Sequence, residues 1–224
     1  MKPPKMRVCS DNIPVALWKG EQWVLWKWEL RDDGKGGKAW TKPLFNAETG
    51  GYAKSNDSST WTRFTKVWEA YNKPDSPWDG IGFVLNGDYV GIDWDDCVDP
   101  ATGIIDPKVL QKVTRLNSYT EINPSGKGLK TLAKGKLPGK DRHNSHVGMF
   151  TKTRYFCITG NLLPDVSPKI ESRPEEIAAL YQEIFGPEEE KATPQEPVTE
   201  TCKSKFSDAE ILKRARGGKD DGAK

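Results

Sequence analysis

Residues 80–96 read GIGFVLNGDYVGIDWDD, with one apolar run on each side of Asn86-Gly87. The first run is Ile81–Leu85 and the second is Tyr89–Trp94, and both are rich in the β-branched and aromatic residues that strands favour. An Asn-Gly pair between two such runs favours a tight turn, because both turn positions accept a positive φ. The pattern therefore predicts a β-hairpin whose second strand ends in acidic residues.

Five aspartates lie within the twelve residues from Asp88 to Asp99, with no Lys or Arg among them. On a strand, Asp93 and Asp95 project to one face and Trp94 to the other. Paired carboxylates repel each other unless a cation lies between them, and their oxygens suit Mg²⁺ or Mn²⁺. Such a pair can hold two divalent ions that bind a triphosphate and activate a hydroxyl. The alternative is a solvated strand end, since Asp is common at turns.

Further strands and helices alternate irregularly around this segment. Strands are predicted at Gln22–Leu30, Tyr119–Ile122, Leu129–Ala133 and Arg154–Thr159. Helices are predicted after the capping residues of Ser58–Thr60, after Asp106-Pro107, and after a capping box of Ser172 with Glu175. This order indicates an α+β fold, with a mixed, mostly antiparallel sheet and flanking helices.

A glycine-rich segment, Asn123–Gly128, lies between two of the predicted strands. Its glycines let backbone N–H groups approach an anion, and Ser125, Lys127 and Lys130 can add donors. The segment does not match the P-loop pattern, and no helix follows it. A plain glycine-rich hairpin turn remains the alternative.

Seven basic residues and one acid, Asp141, lie between Lys130 and Arg154. An excess of this size would attract phosphate backbones, and Lys134, Lys136, Lys140 and Arg142 are the candidates for nucleic-acid binding. A solvated loop is the alternative for this segment. His143 and His146 lie among Gly, Pro, Asn and Ser, and we interpret them as ordinary surface residues.

The composition of the 224 residues excludes several classes. The 34 Lys and Arg nearly balance the 32 Asp and Glu, so the chain is not a uniformly basic coat protein. Apolar runs reach about six residues, far below the roughly 20 that span a bilayer, and we expect a cytoplasmic protein without membrane contact. The four cysteines are scattered, which argues against a structural zinc ribbon.

The apolar pattern also predicts the domain organisation. Residues 1–186 are expected to form the folded domain, with a charged, Pro-containing linker at 187–206. Residues 207–224 are expected to form a short helix and tail, the start of a further region.

Read in order, these segments resemble the primase–polymerase (archaeo-eukaryotic primase) domain of phage and plasmid replication proteins. The residues that carry the resemblance cover about 20 to 185. They are WVLWKWE at 23–29, AWTKP at 39–43, STW at 59–61, DGIGFVL at 79–85, GIDWDDC at 91–97, YTEI at 119–122, PSGKGL at 124–129 and RYFCITG at 154–160.

The resemblance implies a site as well as a fold. Asp93 and Asp95 would be the metal-binding catalytic carboxylates, with Mg²⁺ or Mn²⁺ as cofactor. The implied nucleotide-binding residues are Lys42, Ser125, Gly126, Lys127, Gly128, Lys130 and Arg154. The implied partners are a single-stranded DNA template, nucleoside triphosphates and a replicative helicase domain or subunit.

Two residues depart from the pattern of the family. Many members carry His where this chain has Lys130, and an acidic third metal ligand where it has Gly148. The expected function is a metal-dependent primase or polymerase that makes or extends primers on single-stranded DNA. The alternatives are a catalytically impaired module that binds single-stranded nucleic acid, and a two-metal nuclease.

Overall fold

One strand of 15 residues, β5 (Gly80–Trp94), organises residues 1–186, the part of the chain that this computed structural model describes. The predicted hairpin is wrong, because the two apolar runs continue as one strand instead of pairing with each other. Both runs pair with the long antiparallel strand β9 (Val147–Ile158), from Ile81 opposite Ile158 to Trp94 opposite Val147. Asn86-Gly87 lies at an irregularity in this register, where Gly87 has a φ of +110°.

The remaining strands extend the sheet on both sides of this pair, and every pairing is antiparallel. They are β1 (Trp23–Trp26), β4 (Leu44–Phe45), β6 (Thr120–Ile122), β7 (Leu129–Ala133) and β8 (Arg142–His143). The order is β4-β1-β5-β7-β6, and β9 runs between β5 and β8. β1 pairs with the first half of β5 and β7 with its second half.

The predicted opening strand, Gln22–Leu30, is interrupted in the structure. β1 ends at Trp26, and β2 (Glu29–Asp32) forms a separate two-stranded sheet with β3 (Lys38–Thr41). The backbone N–H of Trp28 donates to Oδ2 of Asp79 at 2.7 Å, and Asp79 is buried. The Asp79 carboxylate thus accepts the Trp28 N–H, which in a continuous strand would donate to the backbone of a neighbouring strand.

In the described part of the chain, four helices flank the sheets: α1 (Val15–Trp18), α2 (Phe64–Asn72), α3 (Pro107–Leu116) and α4 (Pro174–Phe185). The predicted start of α3 is confirmed, since Oδ1 of Asp106 accepts the N–H of Lys108 at 2.7 Å. Ser58–Thr60 is a separate 3-10 turn ahead of α2. The predicted capping box is wrong, because Arg173 is the N-cap of α4. Ser172 instead forms an isolated β-bridge with Lys134.

The two halves of β5 face different hydrophobic clusters. Phe83 packs edge-on to Trp23, in the cluster that holds α1 and α2. Ile92 and Trp94 are buried in the cluster that holds α3 and α4. Because side chains alternate along a strand, Asp93 faces away from α3 and α4.

The predicted fold class is confirmed, since residues 1–186 form a mostly antiparallel sheet with flanking helices. Within that range, none of the helices has the length and apolar character that a bilayer crossing requires. The predicted linker at 187–206 and tail at 207–224 lie outside the described residues.

Candidate active site

Asp93 lies in the middle of a row of residues that crosses five strands. Each member is the register partner of the next, and the order is Glu121, Lys130, Asp93, Gly148 and His143. Register partners project side by side from one face of a sheet. The two residues that depart from the family pattern, Lys130 and Gly148, are therefore the two cross-strand neighbours of Asp93.

Asp93 forms an ion pair with Lys130, with 2.7 Å between Nζ and Oδ1. The lysine side chain is 11% exposed and the aspartate side chain 25%. The ammonium also lies 4.6 Å from the centre of the Phe156 ring, close enough for a cation–π contact. A positive charge is thus fixed beside Asp93 by the fold itself.

Asp95 lies just beyond the end of β5 and is exposed. Desolvation by neighbouring atoms and then the charge of Asp93 raise the pKa of Asp95, while Lys130 and Lys42 act in the opposite direction. Asp93 and Asp95 line the same cavity. Trp94 points to the opposite face, where its Nε1 donates to Thr131 Oγ1 at 3.1 Å. The prediction that Asp93 and Asp95 share a face is consistent with this arrangement.

A cavity of about 290 Å³ opens beside the two aspartates. Its lining is formed by Ser55, Asp93, Asp95, His143, Asn144, Gly148, Phe150, Thr153, Arg154, Tyr155 and Phe156. The structure thus brings Arg154 to the same cavity as both carboxylates. His143 is exposed, as expected, but it belongs to this cavity and not to a remote surface.

The ring of Phe150 occupies the space beside Gly148. A Cβ atom built on Gly148 would collide with the Phe150 ring. The guanidinium of Arg154 lies 4.7 Å from the centre of the same ring. Phe150 thus contacts both Gly148 and Arg154 at the cavity.

The backbone of β9 is strained where it borders this cavity. Thr153 has a φ of +55°, which is rare for a β-branched residue, and its carbonyl accepts the hydroxyl of Ser55 at 2.9 Å. Strain of this kind occurs often at functional sites. The sequence contains no local signal for it, since it arises where β9 passes the irregularity in β5.

Lys42 follows β3 and lies against aromatic side chains outside the main sheet. Its Nζ lies 5.3 Å from the centre of the Trp28 ring, and its carbonyl accepts the Tyr155 hydroxyl at 2.6 Å. Lys42 is not among the residues that line the cavity, so its contact with a nucleotide stays a prediction.

The glycine-rich segment forms the turn between β6 and β7. Oδ1 of Asn123 accepts the hydroxyl of Ser125 at 2.7 Å, and Gly126 has a φ of +70°. A Cβ atom on Gly128 would collide with the carbonyl oxygen of Trp94. The turn is therefore packed against the strand that carries the aspartates, but its residues do not line the cavity. Its contact with phosphate stays a prediction.

The basic segment divides between different surroundings. The guanidinium of Arg142 lies 5.1 Å from the centre of the Phe185 ring and 5.9 Å from that of Tyr181, both on α4. Lys134 and Lys136 are exposed, and Lys140 accepts the Tyr181 hydroxyl through its carbonyl at 2.8 Å. None of these four residues lines the cavity.

Glu121, at the end of the row, is a buried carboxylate that the sequence analysis did not single out. It accepts the Tyr119 hydroxyl at 2.6 Å and the N–H groups of Thr159 and Gly160 at 3.0 and 2.9 Å. Burial raises its pKa to about 7. The sequence signal that could have identified Glu121 is an acidic residue inside the predicted strand Tyr119–Ile122.

The donor set fits a divalent cation at the two aspartates. Across residues 1–186, however, no group of three or more Asp, Glu, His or Cys side chains is arranged to hold a metal ion. The oxygens of Asp93 and Asp95 are hard ligands of the kind that Mg²⁺ and Mn²⁺ accept.

An antiparallel sheet with a paired-aspartate cavity and nearby basic side chains agrees with the primase–polymerase class. The chain is 32% identical over 161 residues to a DNA primase-polymerase of Nitratiruptor phage NrS-1. The match covers 67% of this chain and 21% of the relative, so the chain spans about a fifth of that protein's length. No protein-family profile matches the chain. The similarity confirms the resemblance, and the chain carries a primase–polymerase domain.

Proposed function

We propose that this chain is a metal-dependent nucleotidyltransferase that makes or extends primers on single-stranded DNA during phage or plasmid replication. The observation that carries the proposal is the meeting of Asp93, Asp95 and Arg154 at one cavity. The name of the phage relative supports a primase or polymerase activity in general.

The proposed reaction joins a primer hydroxyl to the α-phosphate of a nucleoside triphosphate and releases pyrophosphate. Mg²⁺ or Mn²⁺ held by Asp93 and Asp95 would supply Lewis-acid stabilisation of the phosphate charge. Arg154 would contact the phosphates from the cavity wall, where the Phe150 ring supports its guanidinium. Lys42 and the Ser125–Gly128 turn would add positive charge and N–H donors near Asp95.

The template is proposed to reach the site along exposed lysines. Lys134 and Lys136 are the best placed of the basic segment, because Arg142 stacks on α4. The resemblance also supports a replicative helicase, as a further domain or as a subunit, as the proposed partner.

A catalytically impaired module that binds single-stranded nucleic acid is the second candidate. Two observations favour it: Lys130 forms an ion pair with Asp93, and position 148 has no acidic side chain. A nuclease is the third, since paired carboxylates also hydrolyse phosphodiesters.

One assay separates the three candidates. The protein is incubated with a single-stranded template, labelled nucleotides and Mn²⁺ or Mg²⁺, and the products are resolved by length. Growth of a labelled polymer supports the proposed function, retention of template without growth supports the binding module, and shortening of the template supports the nuclease. Asp95→Asn should abolish growth, while the matched control Asp88→Asn, which changes an exposed aspartate within β5, should not.

A further inference from the structure

We infer that the aspartate pair binds one divalent ion instead of two, because the ammonium of Lys130 takes the place of a second cation. The inference rests on the proposed function and specifies how the metal site differs from a two-ion centre.

Lys130 forms its ion pair with Asp93. The two residues are register partners, and their charged atoms lie 2.7 Å apart. A lysine that is 11% exposed has little access to water, so its ammonium depends on this carboxylate. Phe156 holds the ammonium from another side, 4.6 Å from the ring centre.

The other neighbour of Lys130 in the row does not compete for it. Both oxygens of Glu121 accept backbone N–H groups, and one also accepts the Tyr119 hydroxyl. Asp93 is therefore the carboxylate with which Lys130 forms its ion pair.

Within residues 1–186, the cross-strand neighbours on the opposite side of Asp93 are not acidic. Gly148 has no side chain, and the Phe150 ring occupies the space above it. His143, the next residue in the row, lines the cavity as a side chain that is neutral or positive.

The charges then decide the number of ions. The two carboxylates and the Lys130 ammonium sum to a single negative charge, and Arg154 adds a positive charge at the same cavity, so one divalent ion already exceeds the negative charge present. A second divalent ion would meet the repulsion of both the first ion and Lys130 at short range.

The experiment titrates the full chain with Mn²⁺ alone and follows the electron paramagnetic resonance signal of free Mn²⁺. The wild type is expected to bind one ion. Lys130→Met, which keeps the length of the apolar stem but removes the charge, should bind the first ion at least about tenfold more tightly. Lys130→Arg keeps the charge and should retain one weakly bound ion.

The matched control is Lys108→Met, which removes one positive charge from an exposed position on α3. Its affinity for Mn²⁺ should equal that of the wild type. Circular dichroism and a melting curve show that each variant is folded, and the wild-type and Lys130→Arg titrations remain informative if Lys130→Met does not fold.

Two results would overturn the inference alone: two ions bound by the wild type, or equal Mn²⁺ affinity in folded Lys130→Met and the wild type. Loss of the metal-dependent mechanism is a different outcome. In that case no variant would bind Mn²⁺, and both the inference and the metal dependence of the proposed function would be rejected.

Discussion

The ring of Phe150 lies over Gly148, in the space that a side chain at position 148 would occupy. Gly148 is also the register partner of Asp93, so this contact decides what can lie beside the candidate catalytic carboxylate. The absence of an acid at this position is thus part of the packing of the site.

We predict that Gly148→Asp does not create a third metal ligand and destabilises the domain instead. The new side chain must displace the Phe150 ring, and overpacking of this kind costs about 1–3 kcal/mol. Thermal unfolding measures the loss. Gly51→Ala is the control, because its Cβ has only an ordinary contact with Thr49. A melting temperature of Gly148→Asp equal to that of the wild type would contradict the prediction.

The two aspartates are predicted to differ in their effect on stability. Asp95→Ala should abolish nucleotide incorporation and change the free energy of unfolding by less than about 0.5 kcal/mol, because the residue is exposed. Asp93→Ala should also abolish incorporation, but it should lower the free energy of unfolding by about 1–3 kcal/mol, because the Lys130 ammonium then has no carboxylate partner. Urea unfolding of both variants checks this difference. Equal stability would show that the ion pair contributes nothing to the fold, and full activity in the double variant would reject the catalytic assignment.

Glu121 is predicted to make stability depend on pH. Burial raises its pKa from an ordinary 4.5 to about 7, so the folded state favours the protonated form. The stabilisation is fully present below about pH 4.5 and is lost as the pH rises through about 7. The free energy of unfolding should fall by an amount on the order of 3 kcal/mol, because each pKa unit corresponds to about 1.4 kcal/mol.

Glu121→Gln isolates this effect from other titrations. The amide does not ionise, so the difference in unfolding free energy between wild type and variant should change between pH 4.5 and 7 and be constant above that range. Tyr119 donates its hydroxyl to Glu121, and burial raises the pKa of Tyr119 well above its ordinary value, so this neighbour does not ionise over the range. Urea unfolding of the two proteins at several pH values measures this difference. An unfolding free-energy difference that stays constant from pH 4.5 to 7 would refute the prediction.

The basic segment is predicted to act unequally on single-stranded DNA. Replacing exposed Lys134 and Lys136 by Gln should reduce the slope of log affinity against log salt by about 1.4, from about 0.7 for each phosphate contact. Arg142→Gln should leave the slope unchanged, because its guanidinium stacks on Phe185. Fluorescence anisotropy with a labelled oligonucleotide at several salt concentrations measures both. If the lysine variant keeps the wild-type slope, the segment is a solvated loop.

Local patterns predicted much of the fold. Asp106 followed by Pro107 marked the start of α3, because a cap and a fixed φ act within a few residues. The apolar runs on both sides of Asn86-Gly87 are strand, but whether they pair with each other depends on a partner far away in the chain. β9 offers hydrogen bonds to both runs at once, so the turn that Asn-Gly favours is not made.

The sequence by itself determined which chemistry is available: Asp93 and Asp95 on one face of a strand, Trp94 on the other, and basic residues in the segments that follow. That information is local, since the alternation of a strand has a period of two residues. Tertiary structure alone decided that Lys130 neutralises Asp93, that Phe150 covers Gly148, and that His143 and Arg154 meet at one cavity. These relationships depend on the register between strands distant in sequence, which is set by cooperative packing of the whole sheet.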